Sequence, residues 1–453
     1  MEDKIIIEKD TWKFAKQISR IVIPSMLQAI LASTILTSVD QMMLGRLGAT
    51  SLTGAGLAGA YTGLFCMGAG GISAVTGIMI AQFTGSDDWK NINKSFSVNM
   101  NIAIFLSIIF TILTFVAPTH IMHVYSKDAA VIAAGSEYLS VMAFFFLPFA
   151  IVSIISTMLR CMGKNMEPMI VGLGGGVANI ILDWIFIFGN LGMKEMGVKG
   201  AAIATVGSQV MTCIVLIIML MAEYHRRGKK FEYTLNMSGK DLMTFLAILM
   251  PVIMDSVFWS IGDNAHAILY SHISSTDYSA LVVTVTAASI MGGLLSGFSV
   301  AAGIVAGSLI GSKDYDGLKE ASKKLCAIAF IFGVVVSIIL IALRRPYVDM
   351  FNISEELKQT TMKFLLVLYI YIPARAINIT MLTGILRSGG KTKYPMYIGI
   401  GCTWLIGMPL ALISGLLFHL PLVWVYALQN LEEVARCIAA YFLFKSEKWI
   451  QKA

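Results

Sequence analysis

The chain repeats one loop sequence at an interval of half its length. Residues from Gly85 read GSDDWKNIN and residues from Gly311 read GSKDYDGLK, an offset of 226 positions (from 85 to 311) in a chain of 453 residues. Further matches with offsets of 226 or 227 lie on both sides of this loop: Gly77 with Gly303, Pro24 with Pro251, and LRCMGKNMEPM from Leu159 with LRSGGKTKYPM from Leu386. A repeat of this size predicts two structurally equivalent halves.

The composition places both halves in a membrane. Hydrophobic residues make up 57% of the chain, and charged residues make up only 13%. Apolar runs repeatedly reach the roughly 20 residues that cross a bilayer, which is more apolar surface than one soluble core buries. These features exclude a soluble enzyme, and we expect no enzymatic activity.

Twelve membrane-spanning helices are predicted, so the expected fold class is an all-α membrane protein with two six-helix lobes related by an internal repeat. The predicted spans begin near Ile18, Ser51, Ser97, Ala130, Pro168, Gly197, Leu242, Ser279, Leu325, Thr360, Tyr394 and Pro421. The predicted divisions are an N-terminal lobe at 1–224, an inter-lobe connection at 225–241 and a C-terminal lobe at 242–453. Duplicated bundles of this kind build many secondary transporters, which bind substrate and coupling ion between two lobes.

Positive charges determine the predicted orientation. The loops on the side of the N-terminus carry 24 Lys and Arg residues, and the loops on the other side carry 8. Because positively charged loops stay in the cytoplasm, we expect a multi-pass protein of the plasma (inner) membrane with both termini cytoplasmic. Orientation then accounts for the net charge of +7, and no nucleic-acid partner is expected. The first 17 residues lack the apolar core of a cleavable signal peptide, so none is expected.

Two kinds of chemistry are not expected. The six cysteines are scattered without paired spacing, so we predict no disulfide, metal cluster or bound cofactor. The sequence contains no GxxxxGK[ST] motif, so transport would draw on an ion gradient instead of ATP, with H+ or Na+ as the coupling ion.

Ionisable residues at membrane depth are costly to bury and are therefore candidate functional residues. In the first half, Asp40 ends the first span, and Asn179 and Asp183 lie four residues apart on one face of the fifth span. Their oxygens suit a small metal cation such as Na+, and the two carboxyl groups suit a proton. The alternative is that Asp40 and Asp183 only cap span ends near the outer interface.

A second set of candidates lies along the seventh span. Asp255, Trp259, Asp263 and His266 follow one another at spacings of 4, 4 and 3, which places them on one helical stripe. We expect this stripe to face a cavity and bind substrate. The repeat places Gln28 opposite Asp255, so the two lobes present unlike charges at equivalent depth, and Gln28 is also a candidate substrate contact.

Three further candidates have competing structural explanations. Arg375 in the tenth span is predicted to form a salt bridge with one of the acids of the seventh span, and such a pair could be purely structural. His266 could titrate beside a carboxylate, or it could simply be hydrogen-bonded. Met142 and Phe145 belong to a polarisable, aromatic run that suits a wall binding varied substrates, and ordinary core packing is the alternative.

Several segments together resemble a known family. The run PSMLQAILASTILTSVDQMMLGRLG from Pro24, the paired runs from Leu159 and Leu386, and GVKGAAIAT from Gly197 are similar to sequences of the multidrug and toxic compound extrusion (MATE) family. The resemblance covers essentially the whole chain. Within the family, the chain resembles the prokaryotic branch that includes the DinF and MepA types.

That resemblance implies a cation site in the N-terminal lobe at Asp40, Asn179, Asp183 and Thr205. The chain also departs from the family pattern. Other members have a Glu eight residues after the proline of the seventh span, where this chain has Trp259, and Arg375 stands in the neighbourhood of the family's acid in the tenth span. A C-terminal sodium site of the usual kind is therefore in doubt, and the acids of the seventh span become candidate contacts for a cationic substrate.

The predicted function is a monomeric antiporter that exports amphipathic, mostly cationic organic compounds in exchange for H+ or Na+ by alternating access. Its expected partners are these cations and membrane lipid. A flippase for lipid-linked sugars or a specific metabolite exporter of the same superfamily is the alternative; a flippase predicts a broad cationic cavity, whereas the charges predicted within the membrane are mostly acidic. A membrane receptor or scaffold would carry an appended binding domain, and the segments outside the spans are short.

Overall fold

The structure is a computed structural model that describes residues 11–30, 42–235, 238–351 and 353–451. These ranges are helical, without any β-strand inside them apart from a single bridge between Gly390 and Ile450. In the first half the helices are α1 (Thr11–Ile30), α2 (Ala49–Gly85), α3 (Trp89–Val116), α4 (Pro118–Tyr125), α5 (Ala129–Met142), α6 (Phe146–Cys161), α7 (Met166–Phe188) and α8 (Gly197–Arg226). In the second half they are α9 (Gly239–Ile273), α10 (Ser275–Gly311), α11 (Tyr315–Asp349), α12 (Glu355–Ile370), α13 (Ile372–Leu386), α14 (Lys393–Leu417), α15 (Leu422–Gln429) and α16 (Leu431–Ser446). The predicted all-α membrane fold is confirmed.

Most of the predicted spans are long apolar helices. Within the described ranges, eight helices are long and apolar enough to cross a membrane, and the bent pairs α5–α6 and α12–α13 raise the number to as many as ten. The first and last predicted spans correspond to α1, which carries Lys13, Lys16 and Arg20, and to the short helices α15 and α16. Several helices begin five to ten residues before the predicted span, because their polar first turns continue the helix beyond the apolar run.

The internal repeat is visible in the local geometry. Asp88 caps α3 by accepting a hydrogen bond from the backbone N–H three residues later at 3.1 Å, and Asp314 caps α11 in the same way at 2.9 Å. The residues before these caps, Asp87 and Lys313, have positive φ angles of 55° and 61°. The repeated loop sequence is therefore a repeated helix-capping turn.

Two equivalent bends interrupt the helices of the fourth and tenth spans. The axes of α5 and α6 differ by 54°, and those of α12 and α13 differ by 41°. At the first bend Thr111 donates a hydrogen bond to the carbonyl of Ala143 at 3.0 Å, and at the second Ser337 donates to the carbonyl of Tyr369 at 2.7 Å. Pro373 cannot supply the N–H that the Tyr369 carbonyl would otherwise receive, so a hydroxyl from α11 satisfies it.

The described residues form two compact units. The C-terminal unit holds those of Met1–Met26 and Leu246–Ala453, and the N-terminal unit holds those of Leu27–Phe245. The first part of α1 joins the C-terminal unit because Gly297 of α10 lets the backbone approach: a Cβ at Gly297 would lie 2.5 Å from the carbonyl oxygen of Val22. The predicted lobe limits at 224 and 242 stay a prediction.

The segment that follows α8 is tied to α3. Asn93 donates a hydrogen bond to the carbonyl of Lys230 at 3.0 Å, and Asn101 donates to the carbonyl of Thr234 at 3.0 Å. The N–H of Thr234 in turn donates to Ser97 at 3.2 Å. Since these three α3 residues are four apart, they form one stripe along which the predicted inter-lobe connection is bound.

Candidate functional site

Asp183 is a fully buried carboxylic acid in a membrane helix. Its exposed fraction is 0%, and Asn179 lies one turn earlier on the same face of α7, half-buried. The Nδ2 of Asn179 is buried and has no hydrogen-bond partner among the described residues. Asp183 lies five residues before the end of α7, and the alternative that it only caps the span end stays open.

Helices α7 and α8 pack closely and run antiparallel. A Cβ at Gly200 would lie 2.6 Å from the backbone carbonyl of Phe186, and a Cβ at Gly207 would lie 3.7 Å from the side chain of Leu182. This register places Thr205 of α8 at the level of Asp183. The Thr205 hydroxyl donates to the carbonyl of residue 201 at 3.0 Å, which leaves its oxygen lone pairs for another ligand.

The structure thus brings three of the four predicted cation ligands to neighbouring positions of one helix pair. Asn179 and Asp183 share a face of α7, and Thr205 lies at the same depth on α8. The fourth, Asp40, lies outside the described residues. The cation site at these four residues stays a prediction.

Asp255 is paired in the C-terminal unit. Arg387, directly after α13, donates a hydrogen bond to Asp255 Oδ2 and forms an ion pair with it. A Cβ at Gly399 of α14 would press on the same carboxylate, so the glycine makes room for the pair. Both side chains are largely buried, with exposed fractions of 18% and 20%.

The same arrangement recurs in the N-terminal unit with a neutral acceptor. Arg160 donates a hydrogen bond to Gln28 Oε1 at 2.6 Å, and a Cβ at Gly172 would lie 3.3 Å from the Gln28 amide. All three positions match those of the acid, the arginine and the glycine of the C-terminal unit at the repeat offset of 227. Gln28 is thus the partner of an arginine, and its role in substrate binding stays a prediction.

The predicted salt bridge of Arg375 to an acid of the seventh span is wrong. Arg375 Nε lies 3.2 Å from Glu433 Oε1, and its Nη2 donates to Asn430 Oδ1 at 3.0 Å. Arg375 stands twelve residues before Arg387, about 18 Å along a helix, so it cannot reach the carboxylate that Arg387 holds. Its nearest acid instead comes from α16.

The stripe on α9 does not lie in one environment. His266 is buried, with an exposed fraction of 7%, and its ring stacks on that of Tyr270 at 5.9 Å between centroids. Trp259 is 58% exposed and Asp263 is also exposed. His266 thus belongs to the interior of the C-terminal unit, and substrate binding by Trp259, Asp263 and His266 stays a prediction.

Sequence analysis missed the acids of α16. Glu432 and Glu433 are both 6% exposed, and Arg436 lies one turn after them. Three ionisable residues within one helical turn of a predicted span were a sufficient signal, since each is costly at membrane depth. They were missed because the preceding apolar run alone marked the span.

Met142 and Phe145 lie in the interior of the N-terminal unit. Their exposed fractions are 3% and 8%. The ring of Phe145 packs on those of Phe146 and Phe149 at centroid distances of 6.2 and 5.1 Å. These contacts are those of a packed core, and substrate binding by Met142 and Phe145 stays a prediction.

Comparisons with known proteins agree with this architecture. The family model MatE matches residues 24–185 and 251–413. The uncharacterized transporter YisQ of Bacillus subtilis (strain 168) is 24% identical over 418 residues, which cover 92% of this chain and 91% of that protein. A probable multidrug resistance protein NorM of Thermotoga maritima is 24% identical over 438 residues, or 97% of this chain and 94% of that protein. The solved structure of a MOP superfamily transporter from Pyrococcus furiosus Vc1, 20% identical, has a TM-score of 0.83 over 95% of each chain.

The helical fold and the buried polar groups are those of a multi-pass membrane transporter. The two segments matched by the family model cover most of the chain, and they begin at Pro24 and Pro251, in the register of the internal repeat. The chain belongs to the MatE family of multidrug and toxin efflux transporters. The predicted family is confirmed, and the shared fold agrees with the twelve predicted spans.

Proposed function

We propose that the protein exports amphipathic organic cations across the plasma membrane in exchange for H+ or Na+. The observation that carries this proposal is the full burial of Asp183 beside Asn179 in a membrane helix. An ionised carboxylate in such a place is costly, and a bound proton or Na+ offsets the cost. The affinity of this site for the cation then depends on the conformation around it.

Coupling follows from that dependence. If the cation binds one arrangement of the N-terminal unit more tightly than another, binding shifts the population toward the first arrangement. A substrate that prefers the other arrangement is released when the cation binds. The difference in cation affinity between the two arrangements limits how much work a gradient can do on the substrate.

The substrate class is proposed from the exposed residues of α9 and from the multidrug resistance proteins among the relatives. Trp259 and Asp263 lie one turn apart and are both exposed. An aromatic ring and a carboxylate at this spacing attract a flat organic cation through cation–π contact and charge. Neutral molecules of the same shape gain only the contact with the ring.

Efflux from proteoliposomes tests the proposal. Ethidium is loaded inside, and a pH gradient or a Na+ gradient is imposed separately. Wild-type protein should export the dye under at least one gradient, and Asp183→Asn and Asp40→Asn should each abolish gradient-driven export without loss of monodisperse protein. Glu137→Gln, which neutralises an exposed acid of the same unit, is the matched control and should transport as wild type does. Efflux above half of the wild-type rate in both aspartate variants would contradict the assignment of Asp40 and Asp183 to the cation site.

The proposal includes a monomeric protein with cytoplasmic termini. The excess of Lys and Arg residues on the side of the N-terminus supports this orientation. A fluorescent protein fused to the C-terminus should fluoresce in cells, and an alkaline phosphatase fusion at the same place should be inactive. Light scattering in detergent should give the mass of one chain; the reverse fusion pattern or the mass of a dimer contradicts these parts.

A further inference from the structure

A buried charge cluster lies where α16 meets α13 and α14. It contains two acids and two arginines, Glu432 and Glu433 on α16 with Arg436 one turn later and Arg375 on α13. Of its members, only Arg375 is among the predicted site residues; the two glutamates and Arg436 are not. The two acids differ in the number of polar contacts that their carboxylate oxygens make.

Glu433 lies beside two guanidinium groups and accepts a hydrogen bond from an amide. Its Oε1 lies 3.2 Å from Arg375 Nε and 3.5 Å from Arg436 Nη1, and its Oε2 accepts a hydrogen bond from Asn378 Nδ2 at 2.7 Å. Glu433 is therefore the acid of the cluster whose two carboxylate oxygens both have partners.

Glu432 is bound much more weakly. Only Oε1 contacts a donor, Arg436 Nη2 at 3.3 Å, and that nitrogen also donates to Thr403 Oγ1 at 2.6 Å. Its Oε2 is buried and receives no hydrogen bond from the described part of the chain. The space beside Oε2 exists because residue 407 is glycine, where a Cβ would press on that oxygen. A carboxylate in such a place is costly when charged and much less so when protonated.

Two π-helical segments lie in the helices that surround Glu432. The segments Ile379–Leu386 and Thr403–Gly407 are π-helical, and π-helical turns are frequent at functional sites. Thr403 begins the second segment and Gly407 ends it, so both groups that contact Glu432 or its arginine from α14 lie in a widened turn. The cluster therefore combines an unsatisfied buried acid with the irregular backbone that often accompanies function.

Helix α9 packs against α14 and α15 beside this cluster. Gly262 packs on Thr403, since a Cβ at Gly262 would lie 2.8 Å from the Thr403 methyl, and Tyr270 donates to Gln429 at 3.2 Å. His266 lies one turn from each of these contacts, and its Nε2 is buried without a hydrogen-bond partner among the residues described. Asp263, exposed and three residues earlier, interacts electrostatically with both His266 and Glu432.

We propose that Glu432 is a proton-binding carboxyl of the C-terminal unit. This inference rests on the proposed ion-coupled export and names a second site for the coupling proton. The proton binds at Glu432 Oε2 and leaves from the same oxygen. No covalent bond other than those to the proton changes.

Binding of one proton by Glu432 changes the net charge of the cluster's two arginines and two glutamates from zero to +1. The titratable and charged groups that interact with Glu432 are Arg436 and Glu433 on α16, Arg375 on α13, Asp263 and Tyr270 on α9, and Cys402 on α14. Two arginines face two glutamates, so the cluster is balanced when Glu432 is ionised. Protonation of Glu432 weakens its attraction for Arg436, whereas Arg436 keeps its contacts with Glu433 and Thr403. A single proton therefore changes the set of contacts made by the arginine that joins α16 to α14.

Infrared difference spectroscopy of the purified protein between acidic and neutral pH tests the site directly. Wild-type protein should show the carbonyl bands of the carboxyls that gain a proton, and one band of this set, that of Glu432, should be absent from Glu432→Gln. Glu433→Gln is the matched control because it removes the adjacent, fully bound acid, and it should retain the band of Glu432. Persistence of every band in Glu432→Gln, or loss of the Glu432 band on addition of NaCl at constant pH, overturns the proposal; the second result would assign the site to Na+.

Two further measurements keep the test decisive. If Glu432→Gln does not yield monodisperse protein, Gly407→Ser places a hydroxyl against Oε2 and should displace the frequency of the band; an unmoved band contradicts the proposal.

Dye efflux then separates this inference from the proposed function. Absence of gradient-driven efflux in wild type overturns the function while the spectroscopic test stands. Proton-driven efflux whose pH dependence is the same in wild type and Glu432→Gln overturns the inference alone.

Discussion

Arg387 forms an ion pair with Asp255 that joins the residue after α13 to the middle of α9. In the other half, Arg160 donates a hydrogen bond to Gln28 across the same sequence separation of 132 residues. Each unit thus contains the same arginine contact, but only the C-terminal unit neutralises the arginine with a carboxylate. The two contacts should therefore respond differently to removal of the arginine.

Arg387→Met should destabilise the protein more than Arg160→Met does. The first change leaves the carboxylate of Asp255 without its counter-charge in a largely buried position, which costs about 3 kcal/mol. The second leaves a neutral amide, which costs about 1 kcal/mol. Thermal unfolding in detergent, followed by the fraction of monodisperse protein, measures the difference.

The double variant Asp255→Leu with Arg387→Met is the control for that comparison. Because it removes both charges together, it should recover most of the stability that Arg387→Met alone loses. Equal losses in the two single arginine variants would contradict the distinction between a charged and a neutral acceptor.

Asp263→Asn should lower the export of a monovalent cationic dye two- to fivefold and leave a neutral dye of similar size unchanged. Asp263 is exposed and lies one turn after Trp259, so its charge attracts a cation without holding the fold together. An exposed charge contributes up to about 1 kcal/mol to such an attraction, which is the basis of the expected factor. Asp255→Asn is expected to reduce protein yield instead, because its carboxylate is paired with Arg387.

The matched control for Asp263→Asn is Asp316→Asn, another exposed acid, on the first turn of α11. It should leave the export of both dyes unchanged. Efflux assays at two ionic strengths add a second check, since the effect of Asp263→Asn should diminish as salt screens the charge. An equal loss for cationic and neutral dyes would show that Asp263 does not act through its charge.

The helices could be predicted from the sequence because an apolar run long enough to cross a membrane has few alternatives. Capping residues such as Asp88 and Asp314 likewise act on their own helix, so the repeated loop could be recognised without knowledge of the packing. A proline lies beside each bend of the fourth and tenth spans, Pro148 and Pro373, and a proline inside an apolar run is a local signal for a bend. Local signals of this kind require no information about neighbouring helices.

The pairing of charges could not be predicted in the same way. Arg375 was paired with an acid of α9 because both lay in predicted spans, yet Glu433 of α16 is its partner. Which helix faces which depends on close approaches, such as that of Gly407 to Glu432, and one sequence does not give these contacts. In the N-terminal unit, Asn179 and Asp183 could be placed together because four residues make one helical turn.

Thr205→Val should lower ion-driven efflux about tenfold, whereas Thr205→Ser should transport nearly as wild type does. Valine has almost the shape of threonine but lacks the hydroxyl oxygen that lies at the level of Asp183, and the loss of one ligand costs about 1.4 kcal/mol. The concentration of H+ or Na+ that gives half-maximal efflux should rise by a similar factor. If valine transports as well as serine, Thr205 is not a ligand of the coupling ion.

Asn93→Ala combined with Asn101→Ala should expose the segment after α8 to trypsin. The two asparagines donate to the carbonyls of Lys230 and Thr234 at 3.0 Å, and each lost hydrogen bond costs about 1 kcal/mol, so cleavage after Lys230 should become at least roughly tenfold faster. Asn91→Ala is the matched control, because the Asn91 side chain donates only to the cap of its own helix at 2.6 Å. Equal cleavage rates in the control and the double variant would mean that these asparagines do not hold the connection on α3.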